Sequence, residues 1–141
     1  MNYSELIKDN RIKEGKFSKK QIQDCLELAR RDIKTARKIL NDDPDWAYNI
    51  SYNAMLQAAR ALMFSKGYRA TGEWQHATTI RFAQITLGDE FKSTLEFMER
   101  MRRKRHRTVY DIAGLISTKE ATEAIETAVS FVKAISEMLN L

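Results

Sequence analysis

The feature that most constrains the fold of this chain is a stripe of apolar residues that recur every three or four positions between residues 22 and 40. Ser18 and Gln21 stand just before it and fit a capping box, in which each side chain bonds the backbone amide of the other residue. Asn41 and Asp42 follow as a polar stop. The spacing places the apolar side chains on one face and predicts an amphipathic helix that must bury this face. Its members are Ile22, Cys25, Leu26, Ala29, Ile33, Ala36, Ile39 and Leu40.

Two more helices are predicted in the middle of the chain. Asp43 is a capping residue and Pro44, at the first helical position, loses no hydrogen bond, so a second helix begins here and ends near Phe64. Residues 68–72 are predicted as a loop, because glycines flank or end this stretch. A short third helix is predicted over residues 73–87, and a glycine follows its last residue.

Two further helices are predicted in the last third. A fourth begins near Asp89, and a final one follows a second capping box over residues 117–120 and carries a regular apolar stripe to Leu139. With five glycines and one proline in 141 residues, helix is favoured throughout. We therefore predict an all-α fold, an up-and-down antiparallel four-helix bundle over residues 18–141, with residues 1–17 as an N-terminal arm or an extra short helix.

Composition limits the class of protein further. A chain of 141 residues with 43% apolar content can bury one substantial core, so a single main domain is expected. The single cysteine, Cys25, cannot form an internal disulfide and lies on the apolar stripe, so we predict a buried thiol. No signal-peptide pattern and no long apolar run occurs, which predicts a soluble, cytoplasmic protein with no membrane partner. His76 has no second ligand residue at metal-binding spacing, so no metal and no cofactor are predicted.

The positive charge of the chain is concentrated in one short segment, residues 100–107, which we call the cationic run. It carries six of the 24 lysines and arginines, and removing these six leaves 18 basic residues against 19 acidic ones. On a helix, Arg102, His106 and Tyr110 follow each other at four-residue spacing and project from a common face. The run therefore indicates a site for a polyanion on an otherwise nearly neutral protein.

The apolar face of the fourth predicted helix leads directly into the cationic run. Continued at three- and four-residue steps, the stripe of Phe91, Leu95 and Met98 meets Arg102 and Arg105. Burying guanidinium groups in a core-facing stripe costs free energy unless each group has an ion-pair partner or contacts water. Either the helix projects past the bundle and the arginines are solvated, or this face meets a second subunit across a polar cleft.

A polar row on the second predicted helix also has two interpretations. Asn49, Asn53, Gln57 and Arg60 recur at three- and four-residue steps. The row is either a solvated face or a set of hydrogen-bond partners for the cationic helix.

The order and spacing of several segments resemble a HEPN domain (higher eukaryotes and prokaryotes nucleotide-binding). These are residues 47–62, Gly67, His76, and residues 105–111 before the final capped helix, so the resemblance spans residues 18–139. It implies an up-and-down helical bundle that usually forms a homodimer. It also implies that the protein often works beside a small nucleotidyltransferase, encoded next to it, as a toxin-antitoxin pair.

Active members of that family resemble metal-independent ribonucleases that place an arginine, four to six intervening residues and a histidine at the dimer cleft. A proton-transfer group and a fixed cation suit cleavage beside a ribose 2′-hydroxyl. Arg100 and His106 satisfy this pattern formally. The surrounding sequence instead sets Arg105 in the arginine position and Tyr110 where the histidine should stand, with His106 where an asparagine is common. A tyrosine with a pKa of about 10 is a poor base at neutral pH.

Three functions follow from these expectations. The first is a dimeric protein that binds RNA or a nucleotide, partnered by a nucleotidyltransferase. The second is a metal-independent endoribonuclease with Arg100 or Arg105 as the cation, His106 as the acid or base, and Tyr110 beside it. The third is a non-catalytic subunit whose basic helix meets an acidic protein surface. The residues predicted to bind the nucleic acid or nucleotide are Arg102, Arg103, Arg105, Arg107, Asn53 and Gln57.

Overall fold

The fold is mostly helical, as seen in a computed structural model that describes residues 2–141. The α-helices of this part of the chain are α1 (Tyr3–Lys8), α2 (Lys19–Ile39), α3 (Pro44–Ser65), α4 (Gln75–Leu87), α5 (Lys92–Tyr110) and α6 (Thr118–Leu139). A 3-10 turn over Gly88–Phe91 leads into α5, which begins three residues later than the sequence predicts. The helical class is confirmed, whereas the up-and-down four-helix arrangement stays a prediction.

The helix starts that the sequence predicts from capping residues are confirmed. The Gln21 amide donates to the Ser18 hydroxyl at 3.1 Å, and the Ser18 amide donates to the Gln21 side chain at 2.8 Å. Ser117 and Glu120 form the second capping box before α6. The Asp43 carboxylate accepts from the amide of the third residue of α3 at 3.0 Å. Each cap satisfies amides that have no partner within the helix, which is why the helices begin at these positions.

The main core surrounds α3, which packs against α2, α4, α5 and α6. The middle of α3 buries four alanines completely, and such small side chains let neighbouring helices approach closely. Cys25, on α2, is also buried, as predicted, and burial raises the pKa of its thiol. The buried alanines are Ala54, Ala58, Ala59 and Ala61.

A second, smaller core holds the N-terminal segment against the rest of the fold. Its fully or almost fully buried members come from α1, β1 (Ile12–Glu14), α3 and α4. The strand β1 pairs antiparallel with β2 (Tyr68–Ala70). The prediction of a loop over residues 68–72 is therefore wrong for its first three residues, which form β2. The local sequence does not reveal this strand, because its partner lies more than fifty positions away along the chain. The buried members are Leu6, Ile12, Met63 and Phe82.

The N-terminal segment is described from residue 2 onward, and it contains both α1 and β1. The predicted division of the chain at residue 17 stays a prediction. No helix within residues 2–141 is both long and apolar enough to cross a bilayer. In the same residues, no three His, Cys, Asp or Glu side chains gather in a way that could hold a metal ion.

Candidate nucleic-acid interface

The cationic run occupies the second half of α5, where the helix leaves the main core. Leu95, Met98 and Met101 are completely buried and anchor the first part of the helix. Beyond them, the side chains divide by burial. Arg102 and Arg105 are half-buried and face the rest of the protein. Lys104 is also half-buried. The exposed members of the run are Arg100, Arg103, His106 and Arg107.

Arg102 is held by a carboxylate on its own helix. Its Nε lies 3.1 Å from both carboxylate oxygens of Glu99, and its Nη2 lies 2.5 Å from one of them. The hydrogen bond to Glu99 raises the pKa of Arg102. Glu99 also approaches Arg103, at 3.5 Å from its Nε. One acidic side chain therefore compensates part of the charge of the run and fixes the position of one guanidinium.

A buried tyrosine and a histidine form a hydrogen-bonded pair beside these arginines. The Tyr52 side chain is 0% exposed, and its hydroxyl lies 3.0 Å from Nδ1 of His76. Burial raises the pKa of Tyr52, so its hydroxyl keeps its proton. The guanidinium carbon of Arg105 lies 5.8 Å from the centre of the Tyr52 ring. The pair thus joins α3 to α4 directly beneath the inner face of the cationic run.

The same surroundings favour the neutral form of His76. Although solvent reaches the residue, partial desolvation of its ring lowers its pKa, and the nearby charges of Arg105, Arg102 and Arg60 lower it further. A neutral imidazole has one nitrogen that accepts and one that donates. Nδ1 is occupied by the Tyr52 hydroxyl. The other ring nitrogen, Nε2, makes no hydrogen bond within residues 2–141 and is available to a ligand.

The polar row of α3 makes its contacts with several different partners. Asn53 donates to the buried carboxylate of Asp32 on α2 at 2.8 Å, and Gln57 accepts from Arg60 at 2.9 Å. Among the residues that the structure describes, neither Asn53 nor Gln57 bonds α5 directly. Both line a cleft of about 420 Å³ between α3, β2 and α4, which we call the cationic cleft. The other polar side chains that line it are Arg60, Arg69, Gln75, His76 and Thr79.

One member of the polar row does bond α5. The Asn49 side-chain amide lies 3.0 Å from the Thr108 hydroxyl, which is also 2.9 Å from the Arg105 carbonyl oxygen. The Asn49 amide nitrogen is buried and has no hydrogen-bond partner among residues 2–141. The contact between Asn49 and Thr108 joins the last part of α5 to α3.

The positive charges of the arginines in and beside the cationic cleft are not neutralised by nearby carboxylates. Within residues 2–141, no carboxylate lies within ion-pair distance of Arg60, Arg69 or Arg105. The Arg60 guanidinium instead lies 5.2 Å from the centre of the Phe64 ring and bonds the neutral Gln57. These groups form a positive surface beside a neutral histidine, and such a surface attracts anions.

The structure brings together only some of the residues that the sequence predicts for the site. Asn53 and Gln57 line the cationic cleft, and Arg102 and Arg105 act electrostatically on its histidine. The other predicted residues lie on the outer side of α5. Tyr110 is 69% exposed, and its ring centre lies 5.0 Å from that of His106. The remaining outer residues are Arg100, Arg103 and Arg107.

Tyr52, Arg69 and His76 were not predicted as site residues. Tyr52 stands beside Asn53 in the resembling segment, and His76 also belongs to the pattern of the resemblance. No local spacing relates either residue to Arg69 on β2. Only the packing of α3 against β2 and α4 brings the three residues into one region.

Comparison with known families agrees with this architecture. A family model described as the HEPN domain matches residues 22–138, which is most of the chain. No curated protein matches the sequence. The resemblance seen in the sequence is therefore confirmed.

Proposed function

The chain belongs to the HEPN domain family, and from this premise we propose that it binds RNA or a nucleotide in the cationic cleft. Family membership supports a nucleotide- or RNA-related function. The observation that carries the proposal is the pair of arginines that line this polar cleft without a carboxylate partner, Arg60 and Arg69. Arg105, which also has no carboxylate partner, lies close enough to lower the pKa of the cleft's histidine. Guanidinium groups bind phosphate through paired hydrogen bonds, and here no internal ion pair has to break first.

The polar side chains of the cleft suit the rest of a nucleotide. Gln57 and Gln75 carry amides that can donate and accept, and they can bond a ribose or the edge of a base. His76 adds one free ring nitrogen in its neutral form. The site thus combines phosphate-binding cations with uncharged groups that can contact a sugar or base.

Binding of RNA to the purified protein is expected to weaken steeply with salt. Three phosphate contacts on a single strand correspond to a slope of about −2 in a plot of log binding constant against log salt concentration. Filter binding or fluorescence anisotropy between low and high salt measures this slope. Binding that does not change with salt, or no binding at low salt, would contradict the proposal.

We further propose that the protein is a homodimer and the partner of a small nucleotidyltransferase in a toxin-antitoxin-type pair, as its family resemblance implies. The exposed apolar side chains at the end of α5 support a second copy there, since Tyr110 is 69% and Ile112 is 46% exposed. A dimer through this region would set two cationic runs side by side. Sedimentation velocity at micromolar concentration tests it, and a monomer under these conditions would contradict it.

One observation favours the alternative function, a metal-independent ribonuclease. The Tyr52 hydroxyl lies 3.0 Å from Nδ1 of His76 and orients the ring, and desolvation, followed by the charges of Arg105, Arg102 and Arg60, lowers the pKa of this histidine. In this alternative, Nδ1 carries the ring proton and donates to the Tyr52 hydroxyl, so that Nε2 can accept the proton of the ribose 2′-hydroxyl. The 2′-oxygen then attacks phosphorus, the bond to the 5′-oxygen breaks, and the 5′-oxygen takes a proton from water. The guanidinium groups stabilise the negative charge that develops at phosphorus. His106, the histidine that the sequence predicts for this role, is exposed beside Tyr110.

Cleavage assays with the two histidine variants distinguish these assignments. RNA is incubated with the protein in EDTA, and His76→Ala is compared with His106→Ala. If His76 is the base, the first variant is expected to lose activity by about 100-fold or more, whereas the second changes little. The reverse result assigns the role to His106, and equal activity in both variants and the wild type eliminates both histidines.

The third prediction, a non-catalytic protein-interaction subunit, has no specific support in the cleft. An acidic protein surface would meet the exposed outer arginines of α5, and the cleft would not be needed. Binding to an acidic protein that survives mutation of Arg60 and Arg69, with no RNA bound, would favour this function.

A further inference from the structure

A large aromatic side chain stands exposed beside the cationic cleft. Trp74 is 65% exposed and lies at the N-cap position of α4, where its side chain makes no capping hydrogen bond. Tryptophan is usually well buried because of its large apolar area. Neither helix capping nor core packing therefore explains the presence of an indole at this position.

Trp74 lines a second pocket that adjoins the cationic cleft. This pocket, of about 340 Å³, is lined by Trp74, Arg102 and Glu73, and it shares Gln75 and His76 with the cleft. The two cavities therefore meet at Gln75 and His76. We call them together the two-part groove, and each is within the size range of sites for small ligands.

The two halves of the groove differ in charge. The cationic cleft contains Arg60 and Arg69 and no carboxylate among its lining residues. The second pocket contains Glu73, and its one arginine, Arg102, is already bound to Glu99. A phosphate is attracted to the first half and not to the second. The second half instead offers the apolar face of an indole.

We propose that the two-part groove binds single-stranded RNA, with one unpaired base stacked on Trp74 and a neighbouring phosphate held by Arg60 and Arg69. This inference rests on the proposed function and specifies its substrate class. Stacking requires a base whose face is free, and in a duplex the neighbouring pairs cover these faces. Aromatic side chains next to a positive groove are the usual means of holding single strands with little sequence preference.

The chain offers a matched control for this proposal, because it contains two tryptophans. Trp46 is also exposed, at 50%, but it lies near the start of α3 and lines neither half of the groove. In the Trp46→Phe protein, fluorescence excited at a wavelength that tyrosine does not absorb reports on Trp74 alone. Saturable quenching by a single-stranded oligouridine of about ten nucleotides is expected, since single-strand sites span this length.

Affinity measurements on the variants then test the contact itself. Trp74→Ala is expected to bind the oligouridine about tenfold more weakly, Trp74→Phe to keep most of the affinity, and Trp46→Ala to change it less than about twofold. The wild type is expected to bind the single strand at least about tenfold more tightly than the same sequence in an RNA duplex. Because Trp74 is largely exposed, these substitutions leave the core intact.

The outcomes separate this inference from the proposed function. If the oligouridine binds with the expected salt dependence but Trp74→Ala binds as tightly as the wild type, the stacking contact is wrong and the RNA-binding function stands. Equal affinity for duplex and single strand likewise overturns the inference alone. If the wild type binds no RNA at low salt, both the inference and the proposed function are wrong.

Discussion

The Arg60→Ala, Arg105→Ala double variant is expected to bind RNA about 100-fold more weakly than the wild type at low salt, since each charge-assisted contact contributes about 1.5–3 kcal/mol. Both guanidinium groups lack an ion-pair partner within residues 2–141, so their full charge is available to a phosphate. The salt slope is expected to become less negative by about 1.4, because two phosphate contacts are lost. Fluorescence anisotropy at several salt concentrations measures both quantities.

The matched control for this variant is Lys34→Ala with Lys38→Ala. Both lysines are exposed on α2 and line neither half of the two-part groove, and the pair changes the net charge by the same amount. If the effect of the arginines is local, the lysine variant keeps the wild-type affinity within about threefold, since only long-range attraction is reduced. An equal loss in both variants would show that binding follows net charge and does not use the cationic cleft.

The stability of the double variant must also be near that of the wild type. Arg60 contacts Gln57 and the Phe64 ring, and Arg105 lies over Tyr52, so both guanidinium groups make some contacts within the fold. Exposed or half-buried contacts of this kind contribute about 1 kcal/mol or less. Thermal unfolding checks that the loss of RNA binding is not a loss of folded protein.

Phe82→Ala is expected to lower the free energy of unfolding by about 3–5 kcal/mol, the cost of removing a large aromatic side chain from a packed core. Phe82 is 0% exposed. Its ring centre lies 4.9 Å from that of Tyr3 and 5.7 Å from that of Tyr68, so it joins α1 and β2 to α4. Urea denaturation monitored by circular dichroism measures the change.

The control for this prediction is Ile7→Ala. Ile7 lies on α1 but is 42% exposed, so its truncation is expected to change stability by about 0.5 kcal/mol or less. A cost below about 1 kcal/mol for Phe82→Ala would mean that the N-terminal segment is not part of the same cooperative unit. A large loss of stability would also be expected to disturb the cationic cleft, since β2 carries Arg69 and α4 carries His76.

Much of the helical framework was predictable because its signals are local. The box of Ser18 and Gln21 begins α2, and Asp43 before a proline begins α3, through hydrogen bonds between residues three positions apart. The burial of Cys25 followed from the three- and four-residue spacing of its stripe. Features of this kind can be predicted without knowing the rest of the fold, because they depend on residues that are close along the chain.

The small sheet was not predictable in the same way. Ile12 pairs with Ala70 and Glu14 pairs with Tyr68, and each strand is only three residues long. A strand of three residues has too few positions for an alternating pattern to be recognised. Its stability comes from the second core around Phe82, which forms only when α1 and α4 meet.

By itself, the sequence determined the helical class, the family, the main helix starts and the location of the excess positive charge, because these depend on residues that are neighbours along the chain. The tertiary structure decided which charges share a site. It turned Arg102 and Arg105 toward His76 and left His106 and Tyr110 on the outer side of α5. The physical reason is that the direction of a side chain depends on which helices pack around it, and this packing joins α3, α4 and α5 across long stretches of sequence.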